Sequence, residues 1–153
     1  MAQGIPRIMI VESFGSNIKS LSSHLAGFPL PLEILSAADA PTVLTQLQRE
    51  VVDLVIVDSC LRGKVDGFEL CRTFRASFPD NHIPIILILS GCLSLQRSKG
   101  ISVGADLLLH RPVVKEELLR MVQLLLGWKF NGIANLPFSA AEDRPLRRLH
   151  SVS

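Results

Sequence analysis

The chain has 153 residues, 48% of them hydrophobic and 20% charged, the make-up of one packed domain rather than of a disordered chain. Its formal net charge of +2 resides in the C-terminal stretch: setting aside Lys129, Arg144, Arg147, Arg148, Glu142 and Asp143 leaves equal numbers of basic and acidic residues in 1–127, so the body lacks the basic footprint of a nucleic-acid binder. No apolar run approaches the ~18 residues of a membrane span, Met1 to Arg7 lacks the apolar core of a signal peptide, and the odd set Cys60, Cys71 and Cys92 points to a reduced, cytoplasmic setting.

Five short apolar runs have the length of strands: Ile8–Val11, Leu32–Leu35, Leu54–Val57, Ile85–Leu89 and Leu107–Leu109. The first, third and fourth are rich in Ile and Val without alternation, as in strands buried on both faces of a parallel sheet. Between them, helical spacing predicts helices over Asn17–Ala26, Thr42–Val51 (opened by Asp39-Ala40-Pro41), Phe68–Phe78, Leu93–Val103 with Gly100 inside it, and Val113–Leu126 with Gly127 as its stop. The fifth helix carries its core stripe on Leu118, Val122 and Leu125, with Leu119 and Leu126 as an outer surplus available to a dimer face. A fivefold βα repeat implies a doubly wound parallel sheet covered on both faces, with right-handed crossovers. Residues 1–127 form the expected domain. Residues 128–153, with two prolines and no sustained period, read as a flexible tail or truncated linker.

Ligands of open α/β sheets bind beyond the carboxyl ends of the strands. The residues that follow the apolar runs are Glu12-Ser13, Ser36-Ala37-Ala38, Asp58-Ser59-Cys60, Ser90-Gly91 and His110-Arg111-Pro112. Four strands therefore place two acids, a hydroxyl and a cation on one edge. A carboxylate nucleophile, a second acid suited to a cation, a hydroxyl donor and a positive side chain are the parts that hold a phosphoryl group. Plainer readings stand beside this one: Asp58 as a capping or loop acid, Glu12 as a solvated strand-end acid, Ser90 as an N-cap, Arg111 as a surface charge. His24, His82, His110 and His150 show no metal-binding spacing, and no Cys-x-x-Cys is present.

The stretch Asp53-Leu-Val-Ile-Val-Asp58, then Asp66-Gly67-Phe68-Glu69-Leu70, then Gly104-Ala105-Asp106 leading to Arg111-Pro112, resembles the receiver domains of bacterial two-component response regulators from about Arg7 to Gly127. The resemblance implies a flavodoxin-like (βα)5 fold with strand order 2-1-3-4-5 and a signalling rather than an enzymatic role, beyond catalysis of its own phosphoryl transfer and dephosphorylation. It implies that Asp58 is the phosphoacceptor, that Ser90 and Arg111 contact the phosphoryl group, and that Mg²⁺, weakly held, is served by Glu12, Asp58 and the backbone carbonyl of Cys60. It also places the conformational switch at Leu108. Three residues depart from the family pattern: Ser13 replaces an Asp that ligates the metal, Arg111 replaces a Lys, and Leu108 replaces an aromatic residue. The implied partners are a sensor histidine kinase or phosphotransfer protein, a separate output protein, and a second copy of the chain through the fourth helix, fifth strand and fifth helix; neither nucleic acid nor membrane is implied. The rival reading is a pseudo-receiver, an interaction module that works without phosphorylation. Cys60 and Cys92 fall at facing positions of the resembled family, where two thiols within about 7 Å between Cα atoms would permit a redox-sensitive bridge; two small side chains lining the site are the plainer alternative.

Overall fold

A computed structural model describes residues 4–80, 82–91, 93–130, 132 and 133. Five βα units follow one another: β1 Arg7–Val11, α1 Gly15–Leu25, β2 Glu33–Ala37, α2 Ala40–Arg49, β3 Leu54–Asp58, α3 Gly67–Ser77, β4 Ile85–Leu89, α4 Leu93–Ser102, β5 Leu107–His110 and α5 Lys115–Leu126. The strands are all parallel, in the order β2-β1-β3-β4-β5, as expected.

The lack of alternation in the central strands has a direct structural cause. Ile8, Ile10, Leu54, Ile56, Ile86 and Ile88 face a layer built from α1 and α5. Their neighbours Met9, Val11, Val55, Val57, Leu87 and Leu89 face a layer built from α2 and α3. Each fully buried side chain of this size contributes roughly 1.5–3 kcal/mol, so both faces select apolar residues. Edge strand β2 is half exposed, and its register with β1, from Arg7↔Glu33 to Val11↔Ala37, carries it two residues beyond the predicted end at Leu35.

Local chemistry fixes the helix starts. The Asp39 carboxylate accepts from the Thr42 N–H (2.9 Å) at the head of α2, and the Asp66 carboxylate accepts from the Glu69 N–H (2.9 Å) at the head of α3. Gly100 lets α4 lie close to β5, since a Cβ there would sit 2.7 Å from Leu108 Cδ2.

One expectation about α5 is corrected. Leu119 and Leu126 are buried, 6% and 0% exposed, because α5 packs against α1 as well as the sheet; they offer no dimer face. Gly127 caps the end of α5, as expected, though with φ −61° rather than in the left-handed conformation. The chain turns on instead, with Lys129 and Phe130 N–H both donating to the Leu126 carbonyl. Packing thus continues past Gly127: Phe130 and Ile133 join the α1/α5 layer, and Lys129 Nζ reaches Asp53 Oδ1 (2.5 Å). Residues 134–153 lie outside the described ones.

Candidate functional site

Three strand ends build the site, and the backbone ladder sets their spacing. Glu12 follows β1 and its N–H donates to Ala37 O (3.0 Å). Asp58 is the last residue of β3, opposite Ile88 of β4, and the next N–H, of Ser59, donates to Ile88 O (2.8 Å). Arg111 follows β5, its N–H donating to Leu89 O (3.1 Å). Both acids are buried, with 1% and 3% exposure.

The Arg111 guanidinium joins them. Its Nε donates to Asp58 Oδ2 at 3.0 Å, and one terminal nitrogen donates to both Asp58 Oδ2 and Glu12 Oε2, the latter at 2.9 Å. The other two carboxylate oxygens are also engaged. Asp58 Oδ1 accepts from the Cys60 N–H (2.7 Å), and Glu12 Oε1 accepts from the Phe14 N–H (3.1 Å) and Asn17 Nδ2 (3.2 Å). Burial, with the Asp58 carboxyl next in weight, pushes the Glu12 carboxyl above its ordinary range against the pull of Asn17 and Phe14. Two buried carboxyl groups thus share one cation.

Gly67 brings the head of α3 against the acceptor strand. A Cβ there would lie 2.1 Å from Asp58 O, and the Gly67 N–H donates to Ser59 O (3.0 Å). Only glycine fits this approach of backbone to backbone.

Ser13 turns away from the acids. Its hydroxyl donates to Ala38 O (2.8 Å) and accepts from the Arg62 N–H (2.8 Å), clipping the loop after β1 to the loops after β2 and β3. Beside it opens a groove of about 630 Å³ between the start of α2 and Arg62–Val65, rimmed by Asp39, Arg62 and Lys64. The Arg62 guanidinium also lies 4.5 Å from the Phe14 ring centroid.

Of the remaining expected site residues, Ser90 is exposed on the same rim, one residue past β4. Leu108 is buried at 6% against α4. Cys60 is an exposed free thiol whose N–H donates to Asp58 Oδ1. Cys92 lies outside the described residues, and with it the proposed Cys60–Cys92 bridge. Asn17 was not anticipated; a polar amide in the first turn after a strand-end acid is the signal that marks it.

The donor set was tested against Mg²⁺. A hard cation of this size takes one or two carboxylates plus waters in octahedral geometry. Glu12 and Asp58 are the right type, yet every carboxylate oxygen is engaged by the chain and the Ser13 hydroxyl is tied elsewhere. Among the described residues no group of three or more His, Cys, Asp or Glu gathers to hold a metal. The arrangement as it stands does not fit a divalent ion.

Comparison with known proteins agrees with this architecture. The family model described as "Response regulator receiver domain" matches residues 8–123. The response regulator PleD of Caulobacter vibrioides is 29% identical over 123 residues, which are 80% of this chain but 26% of PleD. The chain therefore spans about a quarter of that relative. A putative response regulator from Chloroflexus aurantiacus superposes with a TM-score of 0.74 at 25% identity, over 81% of this chain and 99% of its own. The receiver domain of the sensor histidine kinase PA1611 from Pseudomonas aeruginosa, whose structure has a magnesium ion in its active-site cleft, has the same fold (TM-score 0.71, 23% identity, 81% of this chain and 99% of its own).

Proposed function

Since the chain belongs to the response regulator receiver family, a family of signalling domains of two-component systems, we propose that it accepts a phosphoryl group on Asp58 from a histidine kinase or phosphotransfer protein and signals through a separate partner. The observation that carries this reading is the pairing of two buried carboxylates with one guanidinium at the strand ends.

In the proposed transfer, an Asp58 carboxylate oxygen attacks phosphorus. The P–N bond of the donor phosphohistidine breaks as the P–O bond forms, and the leaving imidazole takes up a proton. Arg111 has five donors in a planar fork, and already on Asp58 Oδ2 it supplies positive charge to the transferring oxygens. The Cys60 N–H holds the other carboxylate oxygen in place. Ser90, on the rim, supplies a hydroxyl to the phosphoryl group. No step is routed through Mg²⁺, given the engaged donor set.

For the output and for a second copy, the supporting surface is that of α4, β5 and α5. Leu95, Ile101 and Val114 expose 75%, 47% and 43% of their surface there. Among the described residues no helix is long and apolar enough to cross a membrane.

Intact-mass analysis after incubation with a small phosphodonor tests the reading. The native chain gains one phosphoryl group and the Asp58→Asn chain gains none. No gain in the native chain, with a small donor or with a phosphorylated phosphotransfer protein, would leave the pseudo-receiver in its place.

A further inference from the structure

We propose that the groove beside Ser13 binds a small organic anion, with an apolar, ring-bearing body seated on the groove floor and an acidic group held by Arg62 and Lys64. The site is separate from the acceptor: none of its lining residues belongs to the cluster of Glu12, Asp58 and Arg111.

One wall of the groove is set by a residue that departs from the family pattern. The Ser13 hydroxyl donates to Ala38 O (2.8 Å) and accepts from the Arg62 N–H (2.8 Å), which fixes the loops after β2 and β3 on either side of the opening. An ionised aspartate at this position is an acceptor only and would have no proton to give the Ala38 carbonyl. The space of about 630 Å³ falls within the roughly 300–1,000 Å³ of pockets that take a small organic molecule. Ala38, Ala40, Pro41 and Val65 line it, so an occupant buries apolar surface there, and a bare inorganic anion would gain little.

The rim supplies the charge. Asp39 is committed to the helix start, its carboxylate accepting from the Thr42 N–H (2.9 Å). Arg62 and Lys64 are exposed and have no acid partner among the described residues. The Arg62 guanidinium lies instead over the Phe14 ring, 4.5 Å from its centroid. Two unpaired cations over an apolar floor complement a ligand that is apolar in its body and negative at one end.

Fluorescence titration of the full, unphosphorylated chain with anilinonaphthalene sulfonate tests this. Phenylnaphthylamine serves as the same body without the charge, and inorganic phosphate as a charge without the body. The native chain is expected to bind one sulfonate saturably, about fivefold more tightly than the uncharged amine, with amide shifts in nuclear magnetic resonance spectra confined to the loops at Ser13, Ala38 and Val65. Phosphate should not displace it. The preference for the sulfonate should fall as salt rises and vanish in R62Q/K64Q, whose backbone N–H at position 62 still holds Ser13. S13A keeps both cations but loses the clip, and should bind the sulfonate about threefold more weakly. Equal affinity of the native chain for the two probes would overturn the proposal and mark the groove as an apolar docking face for a protein. Shifts gathered at Ile5, Val51 and Trp128, apolar residues exposed elsewhere, would also overturn it, as would an undiminished preference in R62Q/K64Q or native affinity in S13A. Failure of Asp58 to accept phosphate leaves this result untouched.

Discussion

At the amino end of the sheet, Asp106 stands one residue before β5. One of its oxygens accepts from Arg75 (2.7 Å) and from the Ile85 N–H (2.8 Å), and the other lies 2.8 Å from His82 Nε2. Asp53, one residue before β3, accepts from the Arg7 N–H (2.8 Å) and from Lys129 (2.5 Å). Each of these acids has a cation of its own. At the carboxyl end, Glu12 and Asp58 share Arg111. The first arrangement ties strand starts together. The second leaves two buried acids to one cation at the position of the proposed acceptor.

The largest effect that sharpens this contrast is expected at the amino end. Asp106→Ala leaves Arg75 without its acid and frees the Ile85 N–H, and should destabilise the fold by about 3 kcal/mol in urea denaturation. Asp58→Asn relieves the repulsion between two acids and should change stability by less than about 1 kcal/mol, in either direction. Equal losses from the two substitutions would break the comparison.

A smaller effect is expected at Gly67. An added methyl group meets Asp58 O and the Ser59 backbone, which cannot swing aside like a side chain. Gly67→Ala should destabilise by about 2 kcal/mol and slow phosphoryl uptake through displacement of the acceptor. A variant of native stability and native uptake would show that α3 can move away freely.

The smallest is a pH effect at His110, next to Arg111. Burial first, and the Arg97 charge second, lower its pKa from 6.5, with Glu117 opposing. The folded chain therefore binds fewer protons here than the unfolded one in the window just below pH 6.5. Stability from this group is complete above that value and is lost as pH falls through the folded pKa. Denaturation of native and His110→Gln chains, stepped from pH 7.5 to 5, should show a steeper loss in the native chain. Parallel curves would remove His110 from the account.

The strands were legible because burial on both faces forces continuous apolar runs, as in Ile85–Leu89. Glu12, Asp58 and Arg111 were legible because strand ends of a parallel sheet converge on one edge. What was not legible depends on partners distant in the chain. Ser13 reads as a weakened metal ligand until Ala38 and Arg62 are seen to claim its hydroxyl. Arg111 reads as one phosphate contact, since nothing in the sequence says that its fork reaches two acids. Phe130 and Ile133 are isolated apolar residues without a period, so the packing past Gly127 left no pattern to read. Leu119 and Leu126 lie off the main stripe of α5, and their burial appears only once α1 is placed beside it.

The central claim is that the cluster of two acids and one cation at the carboxyl end presents Asp58 as an acceptor. Borohydride reduction of the phosphorylated chain, followed by peptide mass mapping, tests it most directly, because reduction converts an aspartyl phosphate to homoserine. The account predicts homoserine at position 58 and at no other acid. Homoserine at Asp53 or Asp106, or none at all under conditions that phosphorylate a known receiver, would contradict it.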